Sequence, residues 1–350
     1  MSIAPVELFE WTPEFAVHVP DIDQEHQNWF RAMNRLHEAM LAGRGVEILG
    51  TLLAELTKFT MNHFANEEKL MATVHYPEML AHIQQHEDLR RRVSEVEARF
   101  ERGETAITIE LMLLLSDWLR NHEIVIDRRF GDYVQVDRSF AAYLESLLHG
   151  DLRGCGLIVQ RLLAEGISFK ELYLNLFQRA MYRTGELWMK NEISVAIEHL
   201  ATTITLSMMS LTHPTLFNTP RSGKKAVVTC VGGELHQVGA QMISDTFDFL
   251  GWDSFFLGAN TPVDGLLELL ADKQPDVLCL SVSINSHIRR FKETVKKTHA
   301  HFPGLDILAG GQAFLHYLAE ANRNPHLQFL HSLDELEAWI ATRKTTDSRS

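Results

Sequence analysis

The chain reads as a multidomain protein: an all-α four-helix bundle, a second helical block, and an α/β domain built on a doubly wound parallel sheet. Three observations predict this. Residues 25–130 carry apolar positions at helical period with little Gly or Pro inside the runs. A second helical block runs from near Phe140 to about Pro214. After Pro220 and the turn Arg221-Ser222-Gly223 the period changes to short apolar runs rich in β-branched and aromatic residues, with helical stretches between them. Such alternation builds a parallel sheet buried on both faces.

The elements follow in order. Up to Pro20 the chain is an extended arm offering Trp11, Phe15 and Val17 to the bundle. Ile48–Met61 and Leu111–Leu119 show the helical period, and Gly43 with Gly45, then Pro77, then Gly103 cut the region into four helices joined by short loops. The second block is broken at Gly150, Gly166 and Gly185, the first two placed where a left-handed helix end favours Gly. Strands are expected at Ala226–Val231, Ser254–Leu257, Val277–Val282, Ile307–Leu308 and Gln328–Leu330, with a closing helix at Asp334–Thr342.

Composition narrows the partners. The formal net charge of −13 argues against a polyanion, because nucleic-acid affinity comes largely from Lys and Arg on phosphates. Arg90, Arg91 and Arg92 suit a solvated helix face. No run of about eighteen apolar residues appears, as a membrane-spanning helix would need. The start MSIAPVELFEWTPEF lacks a basic flank before an apolar stretch, so a secretory signal is not expected. Cys155, Cys230 and Cys279 form no CxxC pair and read as reduced, mostly buried thiols. The expectation is a cytoplasmic protein without nucleic-acid or membrane partners.

The eighteen histidines gain meaning from their spacing. In His63-Phe-Ala-Asn-Glu67 a four-residue step sets both side chains on one helix face, and His82-Ile-Gln-Gln-His86 repeats it. The first helix offers Asp23-Gln-Glu-His26 and the fourth His122-Glu-Ile-Val-Ile-Asp127. Each of four successive helices thus directs ligand-type residues inward, which is how bundles build dinuclear sites. A lone buried His is usually an ordinary core residue. Burying this many imidazoles and carboxylates would cost several kcal/mol without compensation, and a metal supplies it. One spacing resists: five residues place His122 and Asp127 roughly 140° apart on an ideal helix. They serve one site only if Asp127 bridges to a second metal or the helix is locally distorted.

The ordered run Asp23-x-x-His26, His63-Phe-x-x-Glu67-Glu68, His82-x-x-x-His86 and His122-x-x-x-x-Asp127 resembles the hemerythrin family over about the first 133 residues. The resemblance implies that His82, His86 and His122 hold one iron, that His26 and His63 hold the other, and that Glu67 and Asp127 bridge them. Glu68 has no role in the pattern and is expected to face solvent. The iron with fewer histidines keeps an open position, and O2 is the implied ligand. Spacing does not separate iron from manganese or zinc; the resemblance implies iron.

In the α/β part, Val231-Gly232-Gly233-Glu234-Leu235-His236-Gln237-Val238-Gly239 follows the first strand directly. Ligands of open parallel sheets bind at the carboxyl ends of strands, so His236 is expected at the crevice. Gly258-Ala-Asn-Thr-Pro262, Ser281-Val-Ser-Ile-Asn285 and Gly310-Gly311 end the next strands with small and hydroxyl residues, a slot rather than a phosphate cradle. This half resembles the cobalamin-binding domains of methionine synthase and of light-responsive cobalamin photoreceptors, with Glu234-x-His236-x-x-Gly239 in place of the usual Asp-x-His-x-x-Gly. The resemblance implies His236 as lower cobalt ligand, Glu234 on its other ring nitrogen, and Ser281, Asn285, Gly310 and Gly311 along the slot for the nucleotide tail. The helical block resembles the photoreceptor cap: Gly185-Glu-Leu-Trp188 is followed by Glu198-His199. There the Trp covers the adenosyl group, the Glu contacts it, and the His takes the cobalt after photolysis.

The expected limits are 1–133 for the hemerythrin-like di-iron bundle, 138–219 for the helical cobalamin cap, 224–343 for the Rossmann-like cobalamin-binding domain and 344–350 for a tail. Together the resemblances imply a sensor that uses adenosylcobalamin as a photoreceptor does, with an oxygen- or redox-responsive di-iron domain. That is a signalling and binding protein rather than an enzyme. No output domain is visible, so a homo-oligomer or an effector protein carries the signal. The alternative is a corrinoid methyl carrier whose iron site binds or scavenges O2. A third reading, an enzyme in which both centres react together, predicts a substrate-dependent product.

Overall fold

The computed structural model describes residues 10–44, 46–103, 114, 116–118, 121–216, 219–314 and 325–344. The chain groups into two compact units, Met1–Leu144 with Ala164–Leu176, and Glu145–Leu163 with Phe177–Ser350.

The first unit contains α1 (Pro20–Leu41), α2 (Val46–Thr73) and α3 (Met79–Glu101). A fourth helix, helical at 116–118 and 121–122, passes through a π-helical stretch, Glu123–Asp127, into α4 (Arg128–Leu148). Pro20 starts α1 where its missing N–H costs nothing, and Asp21 and Asp23 favour the positive helix end. The breaks expected at Gly43, Pro77 and Gly103 fall at helix ends. Gly45 and most of Leu111–Leu119 lie outside the described residues.

Two apolar layers fill this unit. One gathers Trp29, Phe30, Met33, Leu36, Leu56, Phe64 and Leu89; the other gathers Val17, Ile22, Met71, Tyr76, Phe130 and Val134. Each fully buried Phe or Leu contributes about 1.5–3 kcal/mol. Between the layers, every helix carries the polar residues singled out above. The arm packs as expected: Trp11 and Phe15 sit 5.4 and 4.8 Å from the Phe30 ring, and Val17 N–H donates to Asp23 Oδ1 at 2.7 Å. Residues 164–176 join this unit through Glu171, buried at 4% exposure, which accepts from Asn175 Nδ2 at 2.5 Å and Arg129 Nε at 3.4 Å.

α4 runs unbroken to Leu148, where Gly150 (φ +73°) supplies the left-handed turn. Next come α5 (Leu152–Ala164), a turn at Phe169–Glu171, a second π-helical stretch at Leu172–Gln178, α6 (Arg179–Met189) and α7 (Val195–Met209). The break expected at Gly185 is corrected: Gly185 lies inside α6. Its backbone stays out of the left-handed region, so the position carries no turn. The helix ends four residues later, and Asn191 at φ +57° turns the chain. The Ser194 hydroxyl then accepts from Ile197 N–H at 3.3 Å to start α7.

The α/β part is a five-stranded sheet in the order β2-β1-β3-β4-β5, parallel throughout. The strands are β1 (Lys225–Cys230), β2 (Asp253–Phe256), β3 (Val277–Ser281), β4 (Asp306–Gly310) and β5 (Leu327–Phe329). Helices α8 (Val238–Phe249), α9 (Val263–Lys273), α10 (Ile288–His301) and α11 (Leu333–Lys344) cover it. The central strands are almost wholly buried, as parallel sheets require. Strand order reverses between β1 and β3, the place where such sheets take ligands. The register sets Cys230, Ser281 and Gly310 level with one another, so the loops bearing the predicted crevice residues leave the sheet side by side.

Candidate metal centre and cofactor crevice

In the bundle the structure brings all seven predicted residues together. His26, His63, Glu67, His82, His86, His122 and Asp127 are each between 0% and 8% exposed. Their ligand atoms form two groups, Glu67, His82, His86, His122 and Asp127 in one and His26, His63 and Asp127 in the other, with the atoms of each group within 4.8 Å of one another. The groups share Asp127. Imidazole nitrogens face each other at 3.2 Å for His26 and His63 and at 3.1 Å for His82 and His122.

The awkward spacing is resolved by the π-helical stretch, whose i→i+5 pattern stacks residues five apart. Asp127 Oδ1 therefore lies 3.0 Å from His122 Nε2 and 3.1 Å from His82 Nε2. Both oxygens of Glu67, both of Asp127 and His86 Nε2 are buried without a hydrogen-bond partner. Buried polar atoms left so are costly, and this donor set of imidazoles and carboxylates suits a pair of metal ions.

Electrostatics divides the set. Burial, aided by His63, lowers His26 to about 4, leaving its ring neutral. Burial and the Asp127 charge push Glu67 upward, but the imidazoles of His82 and His86, whose Nε2 atoms lie 3.4 and 3.2 Å from its Oε2, outweigh them and hold it at about 2. His82 behaves oppositely: burial opposes its charge, yet Asp127 and Glu67 raise it to about 9 without a metal.

A pattern of outer partners was not foreseen. Glu25 of α1 bonds His63 Nδ1 of α2 at 3.1 Å. Glu68 of α2 bonds His86 Nδ1 of α3 at 2.9 Å. Gln85 of α3 bonds His122 Nδ1 of the fourth helix at 3.1 Å. Each partner is the sequence neighbour of a predicted ligand and serves a histidine on the following helix. The expectation that Glu68 faces solvent is thus corrected: it is mostly buried and also accepts from Arg90 at 2.9 Å. Asp23 is occupied with Val17 in the arm. Aromatic rings seal the layer, Phe64 stacked on His86 at 3.9 Å and Trp118 on His122 at 4.2 Å.

The crevice of the α/β part is organised by Glu234, which is fully buried. Its Oε1 accepts from His236 Nδ1 at 2.5 Å and from His236 N–H at 3.1 Å. Its Oε2 accepts from Ser283 N–H at 2.8 Å, Ile284 N–H at 3.1 Å and His287 Nδ1 at 3.0 Å. Burial pushes the carboxyl up, but these bonds hold it well below the usual carboxylate range. Glu234 in turn raises His236, and the Glu198 charge on α7 adds to that. With Nδ1 held by the carboxylate, Nε2 points away on a side chain 52% exposed.

The other predicted crevice residues divide by depth. Ser281 is buried beside the Cys230 thiol, and Asn285 is exposed at the rim. Gly310 ends β4, and Gly311 (φ +113°) leaves no room for a side chain, since a Cβ would come 2.3 Å from Val282 O. Gly239, in the first turn of α8, leaves open space. Asn260, also unforeseen, accepts from Gly233 N–H at 2.6 Å and donates its own N–H to Glu234 O at 2.8 Å, locking the first two loops. Trp188 is 47% exposed, and Leu235 and Ile284 flank the crevice at 64% and 42%. Glu198 Oε2 pairs with His199 Nδ1 at 2.6 Å. Exposed apolar groups around a buried carboxylate and an available imidazole fit a large, flat, metal-bearing cofactor.

Family models match both halves of the chain. The model of the hemerythrin HHE cation binding domain matches residues 17–130. Two models of a B12 binding domain match residues 140–211 and 224–328. The bacteriohemerythrin of Stenotrophomonas maltophilia is 36% identical over 129 residues, 37% of this chain and 83% of that protein. That of Pseudomonas aeruginosa is 38% identical over 129 residues, again 37% and 83%. Among solved structures, the Methanosarcina barkeri monomethylamine corrinoid protein is 14% identical and covers 55% of this chain and 92% of its own, at a TM-score of 0.49. The chain belongs to the hemerythrin family through its N-terminal domain, an iron- and oxygen-binding domain joined here to a cobalamin-binding region.

Proposed function

We propose that the protein is a cobalamin-dependent sensor that uses adenosylcobalamin as its light-absorbing group and its di-iron domain as an oxygen or redox input. The observation that carries the reading is the cap motif: Trp188, 47% exposed, lies in the last turn of α6, and Glu198 in the first turn of α7 accepts through Oε2 from Nδ1 of the exposed His199 at 2.6 Å. Trp188 and His199 are left available to an upper ligand. Adenosylcobalamin supplies a cobalt–carbon bond that visible light breaks. His236 would hold the cobalt through Nε2 while Glu234 fixes its ring; Ser281, Asn285, Gly310 and Gly311 would line the slot for the nucleotide tail.

In the bundle, His82, His86 and His122 hold one iron, His26 and His63 the other, and Glu67 and Asp127 bridge. The two ligand groups support this division of the histidines and the sharing of Asp127, while Glu67 falls in the first group with its Oε2 3.8 Å from His63 Nε2. A ferrous pair supplies reversible O2 binding, and Phe64, Trp118 and Trp11 exclude water around it. The signal leaves through self-association or an effector protein.

The test is to load the dark protein with adenosylcobalamin and record absorption and size before and after green light, with and without O2. Light should change the spectrum and the size, and O2 should alter the product. An unchanged spectrum overturns the sensor reading. A methyl group on cobalt after turnover would instead favour the methyl carrier.

A further inference from the structure

The π-helical stretch that delivers Asp127 runs straight into two arginines, Arg128 and Arg129, both engaged outside the ligand set. Arg129 Nη2 lies 2.6 Å from Glu78 Oε1, and its Nε donates to Glu171 Oε1 at 3.4 Å. Glu78 stands immediately before α3, where its carbonyl accepts from His82 N–H at 3.0 Å. Arg129 is therefore two residues from Asp127 and holds the residue whose carbonyl anchors His82; those two predicted ligands lie 3.1 Å apart. On its other side, the buried Glu171 immediately precedes the second π-helical stretch. The same turn is gripped twice. Ser168, whose hydroxyl accepts from Glu171 N–H at 3.2 Å, donates its own N–H to Asp132, and Asp132 accepts from Arg128 Nε at 3.1 Å.

We propose that the Arg129–Glu171 ion pair is a coupling link that passes the oxidation state of the iron pair to the cobalamin cap. This rests on the reading of the two cofactor sites given above. The link lies where the chain changes allegiance. Ala164–Leu176 groups with the bundle and Phe177 onward with the other unit, so the change falls inside Leu172–Gln178, and α6 with Trp188 continues directly from that stretch. A π-helical stretch runs its backbone bonds one residue out of step with the α-helices around it. Reverting to the α pattern rotates whatever follows, so the stretch has two discrete arrangements rather than a continuum. In the bundle the π arrangement stacks Asp127 on His122. After Glu171 it sets the rotation of α6, and with it the direction of Trp188. Arginine suits the link because a planar guanidinium holds two carboxylates at once in fixed directions. A displacement of Asp127 or of the first turn of α3 is thus felt at Glu171 instead of being absorbed by a flexible side chain. Glu171 follows its partner, because a buried carboxylate stripped of its cation is strongly disfavoured.

The test is the affinity of the full-length, iron-loaded protein for adenosylcobalamin in the dark, titrated with the iron pair diferrous and again diferric. Coupling between two sites typically changes affinity about 5–150-fold, so the two wild-type affinities are expected to differ by about fivefold or more. Two variants interrupt the link. Glu171→Gln keeps the shape and removes the charge; Arg129→Lys keeps the charge but cannot span Glu78 and Glu171 together. Each is expected to bring the ratio of affinities to within about twofold of one, with melting temperature and iron content close to wild type. If Glu171→Gln does not fold, Arg129→Lys decides alone. Equal affinities in the two iron states of the wild type overturn the proposal, and so does a folded, iron-loaded variant that keeps the wild-type ratio. A wild-type protein that takes up no iron or no adenosylcobalamin overturns the two-site reading itself, and the link falls with it.

Discussion

The two sites solve opposite problems. The bundle centre is closed: all seven converging residues are buried, and stacked rings lie over His86 and His122. The α/β crevice is open: Glu234 is buried, but the His236 side chain is 52% exposed and His199 70% exposed. On the proposed reading, a pair of ions has no shape to accommodate, so packing of four helices suffices to assemble its site. A corrin is broad and must enter, so on the same reading it meets one preset carboxylate and one imidazole with the remaining surface uncovered. Burial would then track the size of what is bound rather than the number of charges held.

The comparison breaks most readily in the bundle. Asp127→Ala, which removes the group common to both ligand sets, is expected to lose most bound iron, measured by elemental analysis; full iron retention would mean the two sets do not share a bridge. Stripping iron with a chelator under reducing conditions should lower the melting temperature by several degrees, because the metal binds only the folded state. Next in size, His236→Ala should weaken cobalamin binding about 10–100-fold with iron content unchanged, read by titration. Smaller still, Glu25→Ala, Glu68→Ala and Gln85→Ala should each reduce iron affinity about tenfold, measured by competition with a metal indicator.

The smallest effect concerns pH. Glu234 lies below its ordinary value in the folded state, so its contribution is complete above the unfolded carboxylate value of about 4.3 and is lost as pH falls through the folded one. The stability difference between wild type and Glu234→Gln, from urea unfolding, should be largest above about pH 5 and shrink below about pH 4. A difference independent of pH would show that the charge on Glu234 does not stabilise the fold.

Much of this was legible from residues alone. His63 and Glu67, and His82 and His86, lie four apart, and a four-residue step is read locally from helix geometry. The strands were legible for the same reason, since β1, β3 and β4 are short apolar runs bounded by polar turns. Asp127 was not, because an ideal helix turns it away from His122 and only the π-helical stretch returns it. Gly185 misled, since a glycine in sequence does not say whether its helix continues. Glu68 misled as well: its partner, His86, lies on another helix.

Local periodicity thus determined the helical bundle, the parallel sheet and the four-residue pairs His63–Glu67 and His82–His86, because each depends on how one segment repeats along its own axis. Packing decided the rest. The cross-helix partners Glu25, Glu68 and Gln85, the level register of Cys230, Ser281 and Gly310, and the meeting of His287 with Glu234 all join segments distant in the chain. Such contacts arise only when faces are laid against each other, and no single face specifies which neighbour it will meet.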